Sequence, residues 1–163
     1  MDGTVSRCAP DLRLGPDGWW ISGKIGDVSY PDCGNSLCLL VENSSFWFQH
    51  RNRCILELIR LFPPPGTIFD VGGGNGCVAL AIQESGFDVV LVEPGLEGVR
   101  NAFQRGVRLV VQSTLEGAGV LAGTLPAVGL FDVLEHVRDD LDFLRSTRDL
   151  MIREGRIYIT APA

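Results

Sequence analysis

At the centre of the chain stands Thr67-Ile-Phe-Asp-Val-Gly-Gly-Gly-Asn-Gly-Cys-Val78. The β-branched and aromatic residues Ile68, Phe69 and Val71 predict a short buried strand, and the run 78–84 predicts the helix that follows it. The glycines between them allow the chain to reverse tightly, and they let a ligand approach the backbone because no Cβ intervenes. The free N–H groups at the start of the helix would face that ligand. We therefore expect a binding site at this strand, turn and helix.

The spacing of the glycines separates the candidate ligands. A phosphate-binding loop of the Walker type needs Lys and Ser or Thr after its last glycine, and Cys77 follows here instead. The dinucleotide pattern G-x-G-x-x-G, begun at Gly72, would place its third glycine at this same cysteine, which weakens that reading but leaves it open. What remains is an acid-x-G-x-G-x-G pattern, made by Asp70, Gly72, Gly74 and Gly76.

This pattern resembles the class I S-adenosylmethionine-dependent methyltransferases. Three later motifs continue the resemblance in the family's order: Leu-Val-Glu-Pro-Gly at 91–95, Leu-Phe-Asp-Val-Leu-Glu-His-Val at 130–137 and Gly-Arg-Ile-Tyr-Ile-Thr-Ala-Pro at 155–162. The resemblance begins near Ser45, so we expect an N-terminal cover segment over 1–44 and an S-adenosylmethionine-binding domain over 45–163. It implies a Rossmann-like α/β fold, S-adenosylmethionine as the cofactor, and methyl transfer to an acceptor that the sequence does not identify.

Alternating strands and helices independently predict a parallel sheet with helices on both faces, and the resemblance implies the strand order 3-2-1-4-5. The strands of this sheet are predicted at 68–71, 88–92, 108–112, 126–131 and 156–160. Helices are predicted from Ser45 to Phe62, at 78–84, at 96–105 and at 139–151, with Gly155 ending the last one. The apolar positions of the first of these helices, Trp47, Cys54, Ile55, Leu58 and Phe62, are expected to pack mostly on the sheet. We expect small strands or an irregular cover over 1–44, with Trp19 and Trp20 as packing residues.

Ligands of such sheets lie beyond the carboxyl ends of the strands, and the resemblance assigns parts of the cofactor there. Glu93, about 20 residues after the glycine turn, is expected to accept both ribose hydroxyls. Arg51 best matches an arginine that meets the carboxylate of the methionine part in some of these enzymes, although it could instead belong to a solvated face with Arg53 and Arg60. The predicted cofactor residues are Arg51, Asp70, Gly72, Gly74, Asn75, Gly76, Glu93, Pro94, Thr114, Leu115, Phe131 and Asp132. Of these, Thr114 and the Leu115 backbone stand where many relatives have an acid that contacts adenine.

The predicted catalytic residues follow the fourth strand. Methyl transfer needs a base only if the acceptor must lose a proton, and histidine commonly does this near neutral pH. His136 is therefore the candidate base, with Glu135 beside it. Alternatively, Asp132, Glu135 and His136 could share one face of a turn and hold a divalent metal, as in some oxygen-directed methyltransferases, or the last two could simply orient the turn. We expect no metal.

Composition narrows the partners. A net charge of −6 and a pI of about 4.8 argue against a surface that neutralises nucleic-acid phosphates, so a small-molecule acceptor is favoured. The five cysteines, Cys8, Cys33, Cys38, Cys54 and Cys77, form no regular framework, which predicts free thiols in the cytoplasm and argues against zinc. No secretory leader and no run of membrane-spanning length is visible, so we expect no association with a membrane.

The family's fold usually continues beyond a fifth strand, which here ends close to Ala163. We therefore expect a fragment or a short member whose exposed fifth-strand edge could support a homodimer. Two rival functions stay open: a non-catalytic module that binds S-adenosylmethionine, and an NAD-dependent oxidoreductase.

Overall fold

The computed structural model describes residues 2–23, 39–42 and 44–162. Its seven-stranded sheet has the order β1-β2-β5-β4-β3-β6-β7, in which only β1 and β2 pair antiparallel. The strands are β1 (Arg13–Leu14), β2 (Trp20–Ile21), β3 (Ile68–Val71), β4 (Val89–Glu93), β5 (Val110–Gln112), β6 (Leu125–Phe131) and β7 (Met151–Thr160). The predicted fold class is confirmed. The full strand order differs from the predicted one because β1 and β2 extend the sheet beyond β5, while the other five strands keep the order 3-2-1-4-5.

Helices cover both faces of this sheet. They are α1 (Asp2–Cys8), α2 (Phe46–Leu61), α3 (Cys77–Glu84), α4 (Leu96–Arg105) and α5 (Asp140–Leu150), with a single helical turn at 39–42 and a 3-10 turn at Leu134–His136. One apolar cluster joins α1 and α5 to the sheet, and a second joins α2, α3 and α4 to the opposite face. Neighbouring residues of β4 alternate between these clusters, Val90 in the first and Leu91 in the second, as the two-residue period of a strand requires. Among the helices in the described ranges, none combines the length and apolar character needed to cross a membrane.

The N-terminal strands attach to the sheet through Trp19 and Trp20. Trp19 is 6% exposed, its Nε1 donates to Gln112 Oε1 at 3.3 Å, and its ring meets Phe103 edge-on. Trp20 pairs in register with Val111 of β5 and is partly buried. The prediction that both tryptophans serve packing is confirmed. The division of the chain at residue 44 stays a prediction, and part of the expected cover, 24–38 and 43, lies outside the described residues.

The predicted end of α5 is wrong. The helix stops at Leu150 and β7 begins directly at Met151, so Gly155 lies inside a strand. Between Met151 and Arg156 the register with β6 shifts, because two residues along β6 oppose five along β7. At this bulge a Cβ on Gly155 would stand 2.9 Å from Met151 Cε and 3.0 Å from the Ile152 carbonyl oxygen. Close backbone packing, not helix termination, therefore explains the glycine.

The predicted packing of α2 is also partly wrong. Ile55 and Ile59 are buried at 1% and 0% exposure, whereas Trp47 and Phe62 are 54% and 55% exposed. Cys54 is likewise exposed. The buried stripe is narrower than the apolar pattern suggests, because only the middle of α2 lies against α3 and the sheet.

Candidate cofactor site

A cleft of about 680 Å³ opens at the carboxyl ends of the central strands. It brings together every predicted site residue except Gly76, which packs behind the turn. The residues of the prediction that line the cleft are Arg51, Asp70, Gly72, Gly74, Asn75, Glu93, Pro94, Thr114, Leu115, Phe131, Asp132, Glu135 and His136. These residues lie far apart along the chain, and the parallel sheet gathers them at one edge.

The glycine turn depends on backbone conformations that other residues rarely adopt. Gly72, Gly74 and Gly76 have φ values of 70°, 51° and 75°. Gly76 must also be small, because its Cβ would stand 2.8 Å from Ala102 Cβ. A Cβ on Gly73 would stand 2.8 Å from Asp70 Oδ2. The glycines thus keep the turn tight against α4 on one side and open to the cleft on the other.

Glu93 ends β4 and is tied to the glycine turn. Its side chain is 7% exposed, its Oε2 accepts from the Gly74 N–H at 2.9 Å, and its Oε1 accepts from the Gly95 N–H at 2.7 Å. Burial raises the pKa of this carboxyl, and the two backbone hydrogen bonds act in the opposite direction. An ionised carboxylate has about four lone-pair sites, so two remain for ligand hydroxyls.

Asp70 is the next-to-last residue of β3, lies beneath the same turn and is only 1% exposed. Its Oδ2 has no hydrogen-bond partner in the described part of the chain. Burial raises the pKa of Asp70 to about 7; the nearby charge of Arg51 lowers it, that of Glu93 raises it, and a hydrogen bond from the backbone of Ala79 lowers it. An unpaired buried acceptor at the floor of a cleft suits a polar or cationic ligand group.

Arg51 projects from α2 into the cleft, unlike its helix neighbours Arg53 and Arg60, which are exposed. Its Nη1 lies 2.6 Å from Asp132 Oδ2, and its guanidinium lies over the rings of Trp47 and Phe48, with centroid distances of 5.2 and 5.0 Å. The side chain is 17% exposed, so a solvated face does not describe it. Contact with a carboxylate of the cofactor stays a prediction.

Asp132 follows β6 with a φ of 58°, a conformation that Asp tolerates better than most residues. Its Oδ1 accepts from Thr160 Oγ1 at 3.0 Å, and its Oδ2 faces Arg51. These contacts occupy the side chain that the metal alternative requires. Across the described ranges, no group of three or more His, Cys, Asp or Glu side chains is placed to hold a metal.

Beyond β5, the structure shows two neighbouring hydroxyls in different roles. Thr114 Oγ1 accepts from the Gly117 N–H at 2.9 Å and so closes a turn. Ser113 is fully buried, lines the cleft, and its hydroxyl has no partner among the described residues. Ser113 is therefore a buried hydroxyl at the wall of the cleft and Thr114 a partly exposed one already used in a turn, a distinction that adjacent sequence positions do not reveal.

Glu135 and His136 lie in the 3-10 turn after β6, at the mouth of the cleft, and both are exposed. Their side chains are reachable by a second substrate, and their catalytic roles stay predictions. Sequence reasoning missed Glu42, which also lines the cleft and is 8% exposed. No motif marks Glu42; its burial between distant elements is visible only in the folded chain.

The side chains present fit S-adenosylmethionine. Glu93 offers a buried carboxylate suited to hydroxyls, Asp70 an unpaired acceptor suited to an ammonium group, and Arg51 a guanidinium suited to a carboxylate. Gly72, Gly73 and Gly74 line the cleft, so a ligand can lie against their backbone without meeting a side chain of the turn.

The Rossmann-like sheet, its glycine turn and the acid that ends the neighbouring strand define the class of S-adenosylmethionine-dependent methyltransferases. The chain belongs to the Methyltransferase domain family, whose model matches residues 46–163. The expected fold, class and cofactor are thereby confirmed at the level of the family. This match also favours the methyltransferase reading over the dinucleotide-dependent one.

Curated relatives resemble part of the chain. The ubiquinone biosynthesis O-methyltransferase of Vibrio campbellii is 32% identical over 99 residues, which cover 57% of this chain and 42% of that relative. A similar protein of Xanthomonas axonopodis, with the same description, is 28% identical over 107 residues, covering 62% of this chain and 45% of the relative. The matched part of the chain thus spans less than half the length of these relatives.

Two solved structures illustrate the fold. A methyltransferase of Bacteroides fragilis in complex with S-adenosyl-L-homocysteine is 32% identical, with a TM-score of 0.50, over 63% of this chain and 44% of the other. A candidate methyltransferase of Methanococcus maripaludis is 14% identical, with a TM-score of 0.70, over 85% of this chain and 67% of the other. The second likeness concerns the fold alone.

Proposed function

We propose that this chain binds S-adenosylmethionine in the cleft and methylates a small-molecule acceptor at oxygen. One observation carries the proposal: the buried carboxylate of Glu93 is hydrogen-bonded to the N–H of Gly74 in the glycine turn. This joins the two motifs that in the resembling family hold the cofactor. The names of the curated relatives, O-methyltransferases of ubiquinone biosynthesis, support oxygen as the acceptor atom.

When bound, S-adenosylmethionine supplies a methyl group on a sulfonium, and its transfer is a direct displacement that depends on alignment. Glu93 would accept the ribose hydroxyls, with its own orientation fixed by two backbone N–H groups. Asp70 and Arg51 would hold the amino and carboxylate groups of the methionine part. Ser113, with Thr114 and Leu115, would border the adenine.

The outer part of the cleft suits an apolar acceptor. Besides the predicted cofactor residues, the lining of the cleft includes the apolar or aromatic side chains of Trp47, Phe48, Val133, Val137, Phe143 and Pro162. Such walls exclude water and fit a planar or aliphatic ring. His136, at the rim, would remove the proton from an acceptor hydroxyl, with Glu135 beside it.

Calorimetric titration with S-adenosylhomocysteine tests the cofactor half of the proposal. We expect binding by the wild-type chain, a loss of about 10-fold or more in affinity for Glu93→Ala, and no change for Glu84→Ala, an exposed acid at the end of α3. Circular dichroism confirms that each variant is folded. Binding of NADH in preference to S-adenosylhomocysteine would favour the oxidoreductase instead.

An acceptor panel tests the enzymatic half. Formation of S-adenosylhomocysteine is measured with phenol, aniline and thiophenol as matched oxygen, nitrogen and sulfur acceptors. We expect turnover with the hydroxyl compound, lowered about 100-fold or more in His136→Gln and unchanged in His50→Gln, an exposed residue of α2. A chain that binds the cofactor but methylates no member of a broader panel would instead be a non-catalytic module.

The remaining proposals concern the cellular location, the oligomeric state and the class of acceptor. The free thiols of Cys8, Cys54 and Cys77 support a cytoplasmic location, while Cys33 and Cys38 lie outside the described residues.

Within the described sheet β7 is an edge strand of ten residues, which supports pairing with a second copy. Sedimentation velocity would show a dimer that Ile159→Lys disrupts, and a monomer at every concentration would count against it. The acidic balance of the chain disfavours a nucleic-acid acceptor.

A further inference from the structure

A buried ion pair links the helical turn 39–42 to the end of α4. Arg105 Nη2 lies 2.6 Å from Glu42 Oε2, and the two side chains are only 9% and 8% exposed. Both charges have lost most of their water, so an apolar pair of similar shape would stabilise the fold equally well or better. The pair therefore calls for an explanation other than stability.

The hydrogen bond of the second carboxylate oxygen of Glu42 suggests such an explanation. Glu42 Oε1 accepts from Asn75 Nδ2 at 3.2 Å, and Asn75 Oδ1 accepts from Asn101 Nδ2 at 2.9 Å. Asn75 is 2% exposed and stands between Gly74 and Gly76, both with positive φ. Its side chain is thus hydrogen-bonded to two elements, the turn 39–42 and α4.

These two hydrogen bonds hold the part of the glycine turn that contacts Glu93. Asn75 directly follows Gly74, whose N–H donates to Glu93 Oε2. Glycines resist rotation of the backbone less than any other residue, so the turn would be loose without an anchor of its own. Asn75 is the residue of this turn whose side chain can serve as that anchor.

We propose that Glu42 and Asn101 are positioning residues of the cofactor site. They fix Asn75, and through it the glycine turn, in the conformation that presents the Gly74 N–H to Glu93. Arg105 pairs with the other oxygen of Glu42, the one that does not face Asn75. The inference rests on the proposed function, because it concerns the same site.

Two double variants, matched in charge and similar in volume, separate positioning from folding. Glu42→Gln with Arg105→Met removes the ion pair but leaves an amide oxygen facing Asn75. Glu42→Leu with Arg105→Met removes that acceptor as well. Titration with S-adenosylhomocysteine is expected to give a Kd within about threefold of wild type for the first variant and about 10- to 100-fold higher for the second. The two variants should have similar melting temperatures, because both replace the buried ion pair with uncharged side chains, and the Kd values are compared between folded proteins.

The outcomes distinguish the two proposals. If the wild-type chain does not bind S-adenosylhomocysteine, the proposed function falls and the inference falls with it. If the wild type binds and the two double variants have equal Kd values, the positioning role is overturned while the proposed function stands.

Should the leucine variant fail to fold, Asn101→Ala takes its place. This change removes the partner of Asn75 Oδ1 from the partly exposed face of α4. We expect the Kd for S-adenosylhomocysteine to rise about fivefold or more. An unchanged Kd in a folded Asn101→Ala protein would overturn the inference.

Discussion

At the scale of single residues, burial without full pairing marks the floor of the cleft. Asp70 is almost completely buried, one of its oxygens lacks a partner in the described ranges, and its pKa is raised to about 7, chiefly by burial. In the unfolded chain the same carboxyl would titrate near its ordinary 3.8. The folded chain therefore holds a proton between about pH 4 and pH 7 that the unfolded chain has released.

This difference between the folded and unfolded pKa of Asp70 determines whether stability rises or falls with pH. Because the folded state binds more protons in that window, stability falls as the pH rises from about 4 to 7, and it levels off above the folded pKa. Asp70→Asn, which imitates the protonated form, should abolish this contribution. We expect the variant to melt on the order of 5–10 °C higher than wild type at pH 8 and about equally at pH 4. Thermal melts followed by circular dichroism across this range provide the test, and parallel curves for the two proteins would contradict it.

A second prediction concerns Arg51 and compares it with a neighbour on the same helix. Arg51→Ala should weaken binding of S-adenosylhomocysteine about 10- to 100-fold, since it removes the guanidinium that faces the cleft. Arg53→Ala changes the same charge at an exposed position and should leave the Kd unchanged. Equal effects of the two substitutions would mean that only net charge matters.

The sequence identifies some residues of the cleft and misses others, for a physical reason. Glu93 ends a buried strand and Asp70 is the next-to-last residue of another, each beside a turn, so local pattern alone places them at the carboxyl edge of the sheet. Glu42 and Ser113 carry no such signal. What makes them notable is burial by elements distant in the chain, and no local periodicity encodes that.

At the scale of elements, the glycine turn and α4 are packed against each other. Gly76→Ala would place a methyl group 2.8 Å from Ala102 Cβ and 2.9 Å from Val107 Cγ2, at a φ of 75°. We expect a loss of about 3 kcal/mol or more, which lowers the melting temperature by roughly 6–12 °C in a domain of this size. Calorimetry or circular dichroism measures the shift.

The matched control is Gly86→Ala. Its φ of 88° imposes the same backbone strain, but nothing lies within 4 Å of the added Cβ. A loss of only about 1–2 kcal/mol is expected there. If both substitutions lower the melting temperature equally, the contact between the turn and α4 does not constrain the turn.

Element boundaries show where the pattern misleads. Gly155 after a helical run reads as a helix end, yet β7 starts four residues earlier and the glycine serves a bulge. Similarly, Trp47 and Phe62 keep helical spacing with Ile55 but extend past the sheet. In both cases tertiary packing, not local preference, decides the outcome.

At the scale of the whole molecule, a ligand that binds only the folded state raises its stability by mass action. With S-adenosylhomocysteine at 100 times its Kd, the gain is about 2.7 kcal/mol, equivalent to roughly 5–10 °C in melting temperature. Differential scanning fluorimetry with increasing ligand measures this shift. Glu93→Ala, tested at the same concentrations, should show a clearly smaller one, and identical shifts would place the ligand elsewhere.

The global arrangement could be predicted only in part. Five strands alternating with helices imply the central sheet, and the resemblance supplies their order. The parallel pairing of Trp20 with Val111 has no such signature, because two-residue strands lack a period and their partner is about 90 positions away. The N-terminal strands are therefore a finding of the structure.

The hydrogen bonds between Glu93 and the N–H groups of Gly74 and Gly95 also bear on kinetics. They are contacts within the fold itself and engage both oxygens of the carboxylate, so folding restricts the rotamers of this side chain. A pocket prepared in this way should capture its ligand at a rate governed by encounter. Substitutions at Glu93 or at its backbone donors should then raise the dissociation rate of the complex more than they lower its association rate, so the complex would have a shorter lifetime.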